Sequence, residues 1–361
     1  MSNSKQAIRL LIIAIANNEI GFGHLNRCIS IAATSIEKGL KPSFILFGDE
    51  VANQFMQKTA YHFELHAGTN VLQTIENIGE ESTQAYDLAI VDIVHPVFFK
   101  KQENLEALFK AISTLAIKTA AIDSLGKKSI AINVPKALLN TLVVPYVLSD
   151  DIIHKLQNIH PQCLYGEQYA LLSPIYLQCP GRHQRLAANR ILITSGGGDP
   201  KQLTPVVLQA LEKLEITLEI RVVVGPFFNK RLTQRIIELS DNSAHKISVL
   251  LSPNTLKEHM LWSDLAISAS GLTKYELAAT GTPSILFSID EIHNLANQPF
   301  ANLGISVDLG VMPSHEQFTK ATSELLMNTE LRNRMSIRGQ QSLDGKGSDR
   351  LLTELIKGFK C

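Results

Sequence analysis

The chain has 361 residues, 45% hydrophobic and 19% charged, a length that suits two domains and a composition that excludes a disordered or fibrous protein. Lys and Arg (34) balance Asp and Glu (34), so no long-range field gathers nucleic acid or an anionic membrane surface. The four cysteines, Cys28, Cys163, Cys179 and Cys361, form no C-x-x-C pair and no zinc-ligand spacing, which predicts reduced thiols, no metal and a cytoplasmic setting.

The apolar run over 8–16 is far short of the roughly 20 residues that a spanning helix needs, and predicts a buried strand. Behind it the patterns predict helix 24–38, strand 42–47, helix 51–59, strand 87–92, helix 101–114 and strand 117–122. Residues 178–190 break the pattern with Pro180, Gly181 and three basic residues, so a boundary is expected there. The pattern restarts with strands at 190–195, 219–224, 247–251, 264–268 and 283–288 and helices at 203–214, 229–240 and 272–280. Continuously apolar strands alternating with helices indicate parallel sheets covered on both faces. The expected fold is therefore α/β: two tandem Rossmann-like, doubly wound domains facing across a cleft, at 1–185 and 186–361, with the last helix free to cross back to the first domain.

Ligands in such sheets sit beyond the carboxyl ends of the strands, and four loops there carry candidate chemistry. GFGHLN (21–26) fails as a dinucleotide fingerprint because Asn26 replaces the third glycine, although Asp49 would suit a ribose; it lacks the G-K-[ST] of a P-loop. His24 either caps the helix start or acts as a general base in a cleft, with Arg27 one turn on supporting the helix or an anion. In ITSGGGDPKQLT (193–204), Gly196, Gly197 and Gly198 allow a close backbone approach, and successive amides there suit an anion. In SASGLTKYE (268–276), Thr273 and Glu276 form a capping-box pattern, or else Ser270 and Gly271 cap the helix and leave Glu276 to accept two ribose hydroxyls. Asn297 and Gln298 have the donors and acceptors that sugar hydroxyls need, or simply form a solvated helix face.

The ordered set IGFGHLNRC (20–28), YGEQYALLSP (165–174), ILITSGGGDPKQLT (191–204), SDLAISASGLTKYELAATGTPSI (263–285) and NQ (297–298) resembles the UDP-sugar hydrolases of pseudaminic acid biosynthesis and the related spore-coat polysaccharide proteins. The resemblance implies the GT-B glycosyltransferase fold, with the nucleotide held mainly by the second domain. It implies His24 as the base acting on water and Glu276 as the holder of the uridine ribose. By the same resemblance Gly196, Gly197, Gly198, Ser270, Gly271 and Thr273 surround the diphosphate, and Gly23, Arg27, Asn297 and Gln298 face the sugar. The family requires no metal or other cofactor; the small-molecule UDP-sugar is the substrate.

The sequence departs from the family where the sugar is expected. AIANNEIG lacks an Arg-x-Asp ahead of the loop, Asn26 stands for Met, IVHP follows Asp92 where a tyrosine is usual, and Ser173 stands for Arg. The expected activity is hydrolysis of a UDP-linked deoxyamino sugar of the 2,4-diacetamido-2,4,6-trideoxyhexose type, with UDP released. Two alternatives use the same pocket: a GT-B glycosyltransferase with a UDP-sugar donor, and a non-catalytic nucleotide-sugar-binding protein. No nucleic-acid partner and no membrane span are expected, and nothing in the sequence sets the oligomeric state.

Overall fold

A computed structural model of the chain describes residues 7–17, 20–67, 70–81, 85–93, 103–123, 134–159 and 162–359. It divides into two compact units, one comprising Met1–Pro174 with Lys346–Cys361 and the other Ile175–Gly345. Residues 101–102 of the helix expected at 101–114, and the positions of Asn18, Glu19, Val94, His95 and Pro96, lie outside the described residues.

Unit 1 runs β1 (Arg9–Ala16), α1 (Gly23–Glu37), β2 (Lys41–Gly48), α2 (Glu50–Met56), β3 (His62–His66), α3 (Val71–Glu81), β4 (Tyr86–Asp92), α4 (Glu103–Leu115), β5 (Ala116–Ile122), β6 (Thr141–Val144), α5 (Asp150–Ile159) and β7 (Cys163–Tyr165). Its seven parallel strands are ordered β3-β2-β1-β4-β5-β6-β7. Leu10–Ala16 of the central β1 have no exposed surface, because helices cover both faces of a parallel sheet. Leu11, Ile13, Ile15, Val91 and Ile112 share one core with Phe109 of α4.

Unit 2 runs β8 (Arg190–Thr194), α6 (Leu203–Leu211), β9 (Glu219–Val224), α7 (Lys230–Asp241), β10 (Lys246–Leu251), α8 (Lys257–Trp262), β11 (Leu265–Ala269), α9 (Thr273–Ala279), β12 (Ser284–Ser288), α10 (Glu291–Asn302), β13 (Ser306–Val311), α11 (His315–Met327) and α12 (Thr329–Ser342). The six parallel strands are ordered β10-β9-β8-β11-β12-β13. A second core joins Ile191, Ile193, Ile267, Phe287 and Phe318.

The division after Pro174 falls ahead of the boundary expected near 185. The basic residues that read as a linker are anchors of unit 2: Arg182 Nη1 donates to the Met260 carbonyl at 2.9 Å and to Thr282 Oγ1 at 2.8 Å. Arg185 grips Asp264 through Nε at 2.8 Å, and the amides of Asn189 and Arg190 donate to the same carboxylate. These bonds are made to backbone and buried groups, so they leave no hydrophobic period in the sequence. The last helix, α13 (Gly347–Leu355), belongs to unit 1, where Asp349 pairs with Lys38, the residue that closes α1, at 2.7 Å. Among the described residues no helix is long and apolar enough to cross a membrane.

Candidate functional site

In unit 1 the strand order reverses between β1 and β4, whose carboxyl ends run side by side with Ala14 opposite Asp92. A cavity for a ligand opens at such a reversal, because the connections leave in opposite directions. The turn after β1 is closed by the Gly21 amide donating to the Asn17 carbonyl at 2.8 Å, with Gly21 in the left-handed region at φ 79°. The chain then enters α1 at Gly23 with no side-chain cap, and nothing lies within 4 Å of the position a Cβ would take on Gly23. His24 and Arg27 sit one turn apart, both directed at Asp92.

His24 Nδ1 lies 2.7 Å from Asp92 Oδ1. A lone pair held against a carboxylate at that distance would be repelled, so the contact calls for a proton on Nδ1, and the neutral tautomer that satisfies it has its lone pair on Nε2. Arg27 Nη2 donates to Asp92 Oδ1 at 2.5 Å, Nε donates to Oδ2, and Nη1 to the Tyr146 hydroxyl. Asp92 has no exposed surface. Burial by itself would raise its carboxyl, but Arg27 and then His24 outweigh that and bring it down to about 2. Burial would likewise lower the Arg27 guanidinium, and Asp92 more than reverses it. Arg27, expected at an anion or sugar, is thus committed to Asp92 and Tyr146. Asp49, considered for a ribose, caps α2 by accepting from the Ala52 amide at 3.0 Å.

Sequence reading missed Asp92 and Tyr146. Asp92 left one signal: an acid closing the apolar strand DLAIVD must be paired if it is buried. Tyr146 left none.

In unit 2 the order reverses between β8 and β11, with Thr194 opposite Ser268, so the loops carrying Gly196–Gly198 and Ser270–Gly271 leave neighbouring strand ends. Gly196 has φ 78°. A Cβ on Gly225, the residue after β9, would lie 2.4 Å from the Gly196 carbonyl oxygen and 2.5 Å from that of Gly197. The Phe227 amide donates to the Gly197 oxygen at 2.8 Å, and this pins the loop. The amides of Leu203 and Thr204 at the start of α6 donate to Asp199 at 2.9 and 2.7 Å, so this helix end is answered by the protein's own carboxylate.

The start of α9 differs. Leu272 precedes Thr273 with no side-chain cap, and the capping box readable in Thr273 and Glu276 does not form. Glu276 instead accepts a hydrogen bond from the Tyr176 hydroxyl, while burial pushes its carboxyl up to about 7. Lys274 is buried, donating to the Ala296 carbonyl at 2.7 Å and to Asn297 Oδ1 at 3.0 Å, and burial lowers it to about 8. Asn297 has no exposed surface, and its amide donates to Ser288 Oγ at 3.0 Å. Asn297, expected at the sugar, is therefore engaged inside the fold, whereas its neighbour Gln298 is exposed.

No family model matches the sequence. An uncharacterised protein of Methanocaldococcus jannaschii, MJ1062, is 23% identical over 292 residues, covering 79% of this chain and 56% of that protein. The spore coat polysaccharide biosynthesis protein SpsG of Bacillus subtilis is 24% identical over 185 residues, covering 50% of this chain and 54% of its own. The chain thus spans just over half the length of these curated relatives. Among solved structures, Acinetobacter baumannii MurG superposes with a TM-score of 0.70 at 14% identity, over 98% of this chain and 100% of MurG. A putative UDP-N-acetylglucosamine 2-epimerase of Listeria monocytogenes gives 0.67 at 13% identity over 98% and 97%. The calicheamicin glycosyltransferase CalG4 gives 0.63 at 10% over 98% and 100%. The architecture is therefore of the GT-B type, two tandem Rossmann-like units each built on its own parallel sheet.

Proposed function

We propose that the chain is a GT-B enzyme that binds a UDP-sugar and transfers its sugar to a hydroxyl in polysaccharide biosynthesis. The observation that carries this reading is the His24 to Asp92 contact at 2.7 Å: a binding protein needs no imidazole oriented by a buried acid. The fold shared with a UDP-N-acetylglucosamine epimerase and a glycosyltransferase, and the likeness to the spore-coat protein SpsG, support the substrate class.

In this reading the Gly196–Gly198 loop, with Ser270, Gly271 and Thr273 at the uncapped start of α9, holds the diphosphate, and Glu276 holds the ribose. Gly23 and Gln298 are assigned to the sugar by the resemblance of their segments. His24 Nε2 takes the proton of the attacking hydroxyl as its oxygen bonds to the anomeric carbon. The bond from that carbon to the β-phosphate oxygen breaks, and UDP leaves with the electron pair, its charge met by the loop amides. Asp92 keeps the proton on Nδ1 and stabilises the imidazolium formed. Arg27 keeps Asp92 ionised and fixed, and Tyr146 holds Arg27 by accepting from its Nη1.

Hydrolysis is the second reading, favoured by the GFGHLNRC segment and its resemblance to the pseudaminic acid hydrolases. Water and an alcohol require the same base, so His24 serves both. The test is product analysis with a panel of UDP-sugars, with and without hydroxyl acceptors. Sugar release that depends on acceptor supports transfer; full-rate release without acceptor supports hydrolysis. His24→Ala is expected to abolish UDP release with UDP affinity unchanged; equal turnover by this variant refutes the catalytic role. UDP binding without turnover across the panel would leave a non-catalytic nucleotide-sugar-binding protein.

A further inference from the structure

We infer that Tyr176 is the positioning residue of the ribose site, its hydroxyl holding the Glu276 carboxylate in one orientation. The inference rests on the assignment of Glu276 to the ribose of a nucleoside diphosphate.

The Tyr176 ring is 3% exposed. Its hydroxyl donates to Glu276 and accepts from the Thr255 hydroxyl, which makes it the middle of a relay. Such a chain polarises its members, so the donation to the carboxylate is strengthened by Thr255. The backbone beneath the ring is fixed as well. The Lys257 ammonium donates to the Ile175 carbonyl, and Cys179 Sγ donates to the Tyr176 carbonyl at 3.4 Å. A Cβ on Gly345 would lie 2.9 Å from that same carbonyl oxygen. The phenol therefore has little freedom to leave the carboxylate.

Desolvation raises the Glu276 carboxyl and the Tyr176 bond opposes it, leaving it at about 7. The other groups that bear on the pair are the Cys179 thiol and, facing that thiol, Lys257. Lys274, on the same helix as Glu276, is turned to Ala296 and Asn297. A carboxylate accepts from both ribose hydroxyls only when ionised, so the hydroxyl that favours ionisation sets the pH range of nucleotide binding.

The test pairs carboxyl ¹³C titration of glutamate-labelled protein, with Glu276 assigned through Glu276→Gln, and UDP calorimetry at pH 6.5 and 9. Tyr176→Phe is expected to raise the Glu276 midpoint. A rise of one unit weakens UDP binding by about five- to ten-fold at pH 6.5 and leaves it nearly unchanged at pH 9. Thr255→Val, a change at an exposed position, is expected to move both in the same direction by less, and it serves if Tyr176→Phe does not fold. An unchanged midpoint in both variants, or an equal affinity loss at both pH values, overturns the inference. A midpoint that moves while Glu276→Gln binds UDP like the parent protein rejects the ribose assignment instead, leaving the Tyr176 to Glu276 coupling intact.

Discussion

His24 Nδ1 stands 2.7 Å from Oδ1 of Asp92, an acid whose other oxygen is claimed by Arg27. One carboxylate thus orients a candidate base and neutralises a buried guanidinium. Its removal is predicted to damage both chemistry and fold. Asp92→Asn is expected to lower kcat by roughly 100- to 10,000-fold with a smaller effect on KM, because the amide cannot hold the imidazole in the reactive tautomer. It also leaves Arg27 buried without its counterion, at a cost of about 3–5 kcal/mol. Steady-state kinetics and urea unfolding of this variant measure the two effects separately.

The same acid predicts an acid-sensitive unit 1. Its carboxyl lies at about 2 in the fold against 3.8 for an ordinary aspartate, so the unfolded chain takes up the proton first as pH falls. The stabilisation is complete above about pH 4 and is lost as pH drops through 2. Urea unfolding at pH 5.5 and pH 3 is expected to give a gap between the parent protein and Asp92→Asn that narrows at the lower pH. A gap that stays constant would remove Asp92 as the source.

Glu276 has the opposite sign. Its carboxyl is raised from 4.5 to about 7, so the folded state holds the proton more tightly and loses stability as pH climbs through that window. Glu276→Gln is predicted to melt at a higher temperature than the parent at pH 8 and at nearly the same temperature at pH 4.5. The variant is also expected to lose most of its affinity for UDP, the trade-off typical of a carboxylate kept desolvated for a ligand. Thermal melts at the two pH values, together with calorimetry, test this.

Gly225 is predicted to be intolerant of any side chain. An alanine Cβ would meet the Gly196 and Gly197 carbonyl oxygens at 2.4 and 2.5 Å, and those are backbone atoms that cannot swing aside. Gly225→Ala is expected to cost about 1–3 kcal/mol and to weaken UDP binding by displacing the glycine loop. Gly181→Ala, with nothing within 4 Å of the added carbon, is the control and should fall within about 0.5 kcal/mol of the parent. Equal melting temperatures for the two variants would mean that the loop has room to shift.

The sequence by itself determined the two sheets, because an apolar run such as RLLIIAIA or SILFS is driven into a parallel core whatever surrounds it. It also located the strand-end loops holding His24, Gly196–Gly198 and Gly271, since glycine and polar residues after a buried strand are a local signal. The short or half-exposed β3, β6 and β7 escaped it, for an edge strand such as HFELH has no continuous apolar pattern. What only the tertiary structure decided is pairing across long chain separations. Asp92 meets His24 and Arg27 because β4 crosses to lie beside β1, and Tyr176 meets Glu276 because each is anchored separately in unit 2. A hydrogen bond between residues so far apart in the chain imposes no period and no spacing, and its cost or benefit exists only once burial has removed the water that would otherwise satisfy both partners.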